Sequence, residues 1–482
     1  MKNQNPSVAI IGSGMSGLCM AIKLQQAGFD DFDIYEKADS VGGTWRENTY
    51  PGLSCDVPSH YYSYSFELKS DWTNRFSSGE EIRQYLEMVA DKYDVRRSIR
   101  FNTEVTECRW RGDGWELDLS DGTSTRADVV VSATGVLHHP RYPDIEGIDS
   151  FNGACFHSAR WNHDVQLDGK RVGVVGNGST AIQMVTELVS RVDTMTMFQR
   201  TAQWVAPSAD KVYSDKFKKA LRYVPGLQFL VYHALRIFFE QIGGRAVIRP
   251  GWQRTQVAAA CRRNLKNVRD PELRAKLTPD YEPMCKRLIM SEGFYEAVQS
   301  PNCSVVTENI ERVEPGGVRT ADGILHELDV LVLATGFDPH AFMRPINLVG
   351  ENGVTLAEAW SEAVIAYRTI ALPGFPNFFM PQGPNGPVGN YSLMSVAETQ
   401  CDYIVKCLRL LQSGKLQKIS PRPEVCAQLE EQRIKALATS VWSTGCNSWY
   451  LDKRGIPALW PYTPDRFRRD LKTPRISEIN AS

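Results

Sequence analysis

Two glycine clusters carry the chemistry that residue type and spacing alone can identify. Gly12-Ser13-Gly14-Met15-Ser16-Gly17 follows the apolar run Val8-Ala9-Ile10-Ile11, and Glu36 closes a second run, Asp33-Ile34-Tyr35. In a strand, turn, helix, strand setting the first glycine makes the tight turn. The second admits a pyrophosphate to the helix N-terminus, and the third lets helix and strand pack closely. The acid then suits free ribose hydroxyls. Gly176-Asn177-Gly178-Ser179-Thr180-Ala181 repeats the arrangement after Val172-Gly173-Val174-Val175, but here Arg200 stands where the first unit has Glu36, each twenty-four residues beyond its first glycine. A guanidinium at that place suits a 2′-phosphate. Two different dinucleotides are therefore predicted in one chain, FAD on the first unit and NADPH on the second.

A second stretch fits a flat ligand. Gly42-Gly43-Thr44-Trp45-Arg46-Glu47-Asn48-Thr49-Tyr50-Pro51-Gly52-Leu53-Ser54-Cys55-Asp56 follows directly on the first unit. Its glycines let backbone approach, Trp45 and Tyr50 offer rings to pack on the ligand, and Asp56 puts a carboxylate where a cofactor would end. In the aromatic segment beyond it, Tyr61 to Phe66, most rings read as packing and Tyr62 as a ligand contact.

The elements that must hold these groups can be read in order. A helix is predicted from the first glycine cluster to about residue 27 and another over 80–93. Residues 101–119 alternate, with Asp113-Gly114 as a hairpin turn and Trp115, Leu117 and Leu119 on one face. The strand Asp128-Val129-Val130-Val131 exits into Ser132-Ala133-Thr134-Gly135, and Asp329 to Gly336 repeats that exit. The predicted fold class is α/β, two Rossmann-like units with a helical insertion. The expected division is 1–145 and 331–482 for FAD, 146–210 and 284–330 for NADPH, and 211–283 for the insertion. Within the insertion, Leu227 to Phe239 is apolar on all sides. It reads as a buried helix, with a substrate entrance or a membrane-touching surface as the alternatives. Near the C-terminus a Gly- and Pro-rich turn over 382–389 and a helix over 392–411 suit a second wall around a flavin ring. The segment Gly445 to Tyr450 is too polar and aromatic for a linker, and the basic tail after Pro464 is expected on the surface.

The totals exclude several classes. With 482 residues, 55 Lys and Arg against 56 Asp and Glu, and a formal charge of −1, nothing in the overall charge favours nucleic acid or an anionic membrane. The eleven cysteines include no C-x-x-C pair and read as reduced thiols of a cytoplasmic protein. The eight histidines form no HExxH or similar cluster, so no metal is predicted. No signal peptide precedes the first strand, and the 227–239 run, interrupted by His233 and Arg236, is too short to span a bilayer.

From Val8 to Pro461 the chain resembles the type I Baeyer–Villiger monooxygenases, class B flavoproteins that insert oxygen beside a ketone carbonyl. The fingerprint [A/G]-G-x-W-x-x-x-x-[F/Y]-P-[G/M]-x-x-x-D is met at every position from Gly42 to Asp56. A second, F-x-G-x-x-x-H-x-x-x-W-[P/D], is met at Phe151, Gly153, His157 and Trp161 and departs at Asn162. The related flavin-containing S- and N-oxygenases carry a similar motif without the tryptophan, so that branch is the alternative, while Trp161 and the complete first fingerprint favour the ketone-oxidising branch. The resemblance implies that Arg287, in the pair Lys286-Arg287 ahead of Gly293-Phe294-Tyr295-Glu296, is the catalytic arginine beside the flavin and that Asp56 holds it. It implies Gly12, Gly14, Gly17, Glu36, Gly43, Thr44, Trp45, Asp56 and Tyr62 around FAD. Around NADPH it implies Gly176, Gly178, Ser179, Thr180, Arg200, Thr201, Lys286 and Trp449, with Lys286 joining Arg200 at the 2′-phosphate. It further implies oxidation of a ketone to an ester or lactone by NADPH and O2 through a flavin C4a-peroxide. His157 is read as part of the fingerprint and not as a catalytic base. A dithiol reductase shares the two nucleotide units but needs paired cysteines by the flavin, which the spacing does not show.

Overall fold

The computed structural model describes residues 5–389 and 391–480. Two all-parallel sheets organise it. In the first, β1 (Val8–Ile11), β2 (Phe32–Tyr35), β3 (Ile99–Arg100), β4 (Val129–Ser132) and Phe378–Phe379 lie in the order Phe378–Phe379, β4, β1, β2, β3. In the second, β5 (Ala154–His157), β6 (Arg171–Val175), β7 (Thr194–Phe198), Cys303–Val306 and Val330–Leu333 lie in the order Cys303–Val306, β7, β6, Val330–Leu333, β5. The central strands are largely apolar because both faces of each sheet are covered: in the first, Val8, Ile10, Val129 and Val131 meet the helix side while Ala9, Ile11 and Val130 meet Trp115 and Leu117 of an antiparallel layer, and in the second Leu331 and Leu333 likewise meet Val313 and Val318. All four residues of β1 and of β4 are buried, and each aliphatic side chain so buried contributes about 1.5–3 kcal/mol.

Helices follow the glycine loops as their spacing requires. In the first unit α1 (Met15–Ala27) begins after Gly14, and in the second α2 (Ser179–Leu188) begins after Gly178. The hairpin expected at 113–114 forms between Val105–Trp110 and Trp115–Leu119, with Trp115, Leu117 and Leu119 buried on its core face. Val330–Leu333 pairs with β6 and β5, so the chain returns to the first sheet after this strand and not at residue 331. Two linkers join the units side by side: Arg141 N–H donates to Gly336 O at 2.9 Å and Asp338 N–H to His139 O at 3.0 Å. His157 is buried at the end of β5. Its ring lies between Tyr142 and Phe337, one from each linker, at 5.3 and 6.1 Å.

Three expectations are corrected here. Cys285 and Cys446 form a disulfide across 161 residues; a pairing made only by the tertiary fold leaves no mark in sequence spacing. Both cysteines are buried, which suits a staple rather than an accessible exchanging dithiol. The tail does not simply lie on the surface. It forms Pro464–Asp470 with Phe467 and Leu471 buried, and Arg468 grips Glu240 with two hydrogen bonds of 2.8 and 2.7 Å. The insertion does consist of helices, among them α3 (Asp215–Tyr223) and α4 (Leu227–Ile248). The outer face of α4 is exposed, however, against the expectation of a buried helix. Apolar residues on all sides mark a helix without saying which side meets solvent.

The insertion docks on the first unit through His60, whose ring lies 5.0 Å from Tyr213 and 6.0 Å from Phe217. Burial, opposed by a hydrogen bond with the Lys69 backbone and by the nearby Glu81 charge, lowers this imidazole from 6.5 to about 4. The unfolded chain therefore takes up the proton first as pH falls. Stability present above pH 6.5 is lost down to about pH 4, on the order of 3 kcal/mol for this group. Urea midpoints at pH 7 and 4.5 should show that loss, and His60→Phe should make it shallower. An equal loss in both proteins would remove His60 as a source.

Candidate active site

Both glycine loops are built against the exit of a central strand. A Cβ on Gly12 (φ +100) would lie 2.8 Å from the Ala133 carbonyl oxygen, and one on Gly176 (φ +119) would lie 2.4 Å from that of Ala334. No other residue fits either place. The second glycines face open space instead. Gly178 has nothing within 4 Å of a Cβ position, while Gly14 meets only Gly43, whose own Cβ would fall 2.9 Å from Gly14 Cα. Neither α1 nor α2 has a capping side chain or an acid in its first turn. Their first N–H groups are thus left for an anion. Glu36 is buried at the first loop, where Oε2 accepts from Ser13 N–H and Oγ at 2.8 Å each and Oε1 from Ala38 N–H at 3.0 Å. These two cradles fit the pyrophosphates of two dinucleotides.

The stretch from Gly42 to Asp56 joins the two units. Thr44, exposed, opens the short helix Thr44–Glu47. Trp45 Nε1–H donates to the Tyr62 hydroxyl at 3.3 Å, with the rings edge to face at 5.7 Å. Tyr50, expected to pack on a ligand, is spent on the interface between units. Its buried hydroxyl donates to Gln183 Oε1 on α2 at 2.9 Å, and Gln183 Nε2–H donates back to Ser54 O at 3.0 Å. The stretch ends at Asp56, which forms an ion pair with Arg287.

Arg287 is fixed from both sides along the chain. Behind it Cys285 is bonded to Cys446. Ahead of it Ile289–Met290 pairs in parallel with Val205–Ala206, and Phe294 and Tyr295 are buried in the core of the second unit. The Asp56 carboxylate is the main influence holding the guanidinium charged, well above the usual arginine range, against the cost of burial. On its other side the guanidinium hydrogen-bonds to the Tyr450 hydroxyl, a phenol that burial pushes up. Gly389, at the end of the Gly- and Pro-rich turn, completes the enclosure: a Cβ there would sit 3.0 Å from both Arg287 Nη1 and the Tyr450 hydroxyl. A carboxylate, a phenol and a backbone turn thus converge on one permanent cation.

The pairing of Val205–Ala206 with Ile289–Met290 also brings Arg200 and Thr201 toward Lys286. Asn177 Nδ2–H, from the second glycine loop, donates to Thr201 O at 2.7 Å. Lys286 lies 4.5 Å over the Tyr281 ring, and its ammonium is lowered by burial, with Asp280 opposing and Arg200 adding to the shift. Among the described residues neither Arg200 nor Lys286 has a carboxylate within ion-pair distance, so two cations share a place beside α2. Ser179 and Thr180 begin that helix, half-buried. Trp449 stands at the rim, 43% exposed, against Tyr450 at 4.4 Å.

Sequence reasoning did not single out Tyr450, Gly389 or Asn385. The first neighbours Trp449, and that adjacency was its one signal. Asn385, in the same turn as Gly389, is buried with neither amide atom hydrogen-bonded among the described residues, as befits a group awaiting a ligand.

Residues 9–219 match the family model described as pyridine nucleotide-disulphide oxidoreductase. A protein called an uncharacterized monooxygenase in Mycobacterium tuberculosis (strain ATCC 25618 / H37Rv) is 49% identical over 468 residues, 97% of this chain and 94% of that one. A Baeyer–Villiger monooxygenase of Streptomyces coelicolor is 41% identical over 484 residues, 99% of this chain and 92% of its own. Among solved structures, OTEMO in complex with FAD and NADP superposes with a TM-score of 0.87 at 27% identity, covering 98% of each chain.

Proposed function

The chain belongs to the Baeyer–Villiger monooxygenases, and from that premise we infer that it is an NADPH- and O2-dependent flavoprotein that converts a ketone to an ester or lactone. The observation that carries the reading is the Arg287–Asp56 ion pair, enclosed by Tyr450 and Gly389 in a chain that carries two glycine cradles. When bound, FAD would supply the redox chemistry, hydride acceptance from NADPH and reduction of O2. This chain's residues do the rest.

Gly12 and Gly14 with the start of α1 would hold the FAD pyrophosphate, Gly17 letting α1 pack against the loop, and Glu36 would hold its ribose. Gly43, Thr44, Trp45 and Tyr62 border the ring. Gly176, Gly178, Ser179 and Thr180 hold the NADPH pyrophosphate, Arg200, Thr201 and Lys286 take the 2′-phosphate, and Trp449 closes the rim. Arg287 stabilises negative charge developing on oxygen as the ketone carbonyl is attacked, and Asp56 orients it through a charge-assisted hydrogen bond. The division into FAD-binding, NADPH-binding and inserted helical parts belongs to the same proposal, with the second NADPH part extended through Leu333.

The departure at Asn162 from the second fingerprint does not favour an S- or N-oxygenase. Asn162 Oδ1 accepts from Asp164 N–H at 3.0 Å, a turn that an aspartate would make in the same way. Trp161 packs edge to face on Phe156 at 5.1 Å within the second unit. Among the described residues no helix is long and apolar enough to cross a membrane. The compartment proposed is the cytoplasm, supported by nine unpaired cysteines and opposed by the one disulfide.

A panel of cyclic, linear and aryl ketones beside thioethers and amines, scored by product mass under 18O2, tests the reading. One 18O atom in an ester or lactone, with one NADPH consumed per product, is expected. Sulfoxide or N-oxide without ester from any ketone would assign the chain to the other branch.

A further inference from the structure

We propose that the outer face of α3 and α4 is a docking surface for an anionic phospholipid bilayer. On α4, Phe229, Leu230, Ile237 and Phe238 are 62%, 63%, 55% and 60% exposed. Their spacing places them on one helical face. The C-terminal end of α3 adds Tyr223 and its cap Val224 at 71% and 51%. Large side chains concentrated on one face in this way mark a contact surface, whereas single exposed apolar residues need no explanation.

The helix is not exposed because it is loosely held. Tyr232 is buried, and Leu235 and Phe239 pack against the core of the first unit. Glu240, also buried, accepts from Tyr61 at 3.1 Å and from both terminal nitrogens of Arg468. One side of α4 is therefore anchored in protein while the other presents apolar side chains outward. A helix in this setting lies flat at an interface and does not cross it.

Charge selects the occupant. Between residues 211 and 239 the chain carries Lys211, Lys216, Lys218, Lys219, Arg222 and Arg236 against Asp215 alone, although the whole protein has a net charge of −1. Lys216, Lys219 and Arg222 are exposed on α3. A second copy of the chain, docked by two-fold symmetry, would press these like charges together. Anionic headgroups match them, and the acyl boundary takes the aromatic and aliphatic side chains.

The test is flotation of the full-length protein, as purified, with phosphatidylcholine vesicles and with vesicles containing 30% phosphatidylglycerol. Binding is expected only to the second and should weaken as salt rises. Lys216→Gln with Lys219→Gln should lower the partition coefficient about 30-fold, at about fivefold per basic residue near the surface. Leu230→Ser with Phe238→Ser should abolish flotation while ketone turnover in vesicle-free solution is unchanged. Equal binding to neutral vesicles, or no loss in either double variant, would overturn the proposal. So would a dimer in light scattering that Phe238→Glu dissociates, or retention only by an acidic protein partner.

Discussion

Arg287→Ala should leave reduction of the flavin by NADPH within a few-fold of wild type while ester formation falls by about 100- to 1,000-fold or more, the range seen when one preorganised donor to a developing oxyanion is removed. The split arises because hydride transfer needs the cofactors side by side, whereas oxygen insertion needs a fixed positive charge where negative charge appears. Asp56 and Tyr450 hold that charge in one orientation, so Arg287→Lys should recover little. An ammonium cannot span both partners as the planar fork does. Asp56→Asn keeps the cation and should give an intermediate loss, with more NADPH oxidised per ester formed. Stopped-flow flavin absorbance separates the two half-reactions, and an unchanged oxygenation rate in Arg287→Ala would remove the catalytic assignment.

The second large effect is on coenzyme choice. Arg200 and Lys286 have no carboxylate partner among the described residues, and Arg200 contributes to the lowering of Lys286. Two neighbouring cations with no carboxylate at ion-pair distance among the described residues suit the dianionic 2′-phosphate of the proposed coenzyme. A hydrogen bond to a charged group contributes about 1.5–3 kcal/mol, so Arg200→Gln should raise the KM for NADPH about 10- to 150-fold. The KM for NADH, which lacks the phosphate, should move less than about twofold, and Lys286→Gln should act in the same direction. Steady-state kinetics with both coenzymes decide it. Equal changes would show that Arg200 does not read the phosphate.

Much of the frame is legible because its pattern is local. Gly12 and Gly176 each stand at the head of a repeated strand, turn, helix pattern, although the carbonyls that require them, of Ala133 and Ala334, come from distant strands. Tyr50 shows the limit. Its type suggested a ring for a ligand, but its place opposite Gln183 depends on how two units dock, and no local pattern encodes that. Cys285 and Cys446 were read as free thiols for the same reason. The charge balance is uninformative in a different way, since a total near zero hides six basic residues within residues 211–239, Lys216, Lys219 and Arg222 among them exposed on α3.

By itself the sequence determined the α/β class, the two nucleotide cradles and the difference between Glu36 and Arg200, because the spacing that marks each lies within about 25 residues of chain. It also carried, by resemblance, the expectation that Asp56 holds Arg287. Only the tertiary structure joined these two across 231 residues, added Tyr450 and Gly389 around the guanidinium, stapled Cys285 to Cys446, and turned one side of α4 toward solvent. Those features arise where separate units and the inserted helices pack on one another, and side-chain type along the chain does not specify which surfaces meet.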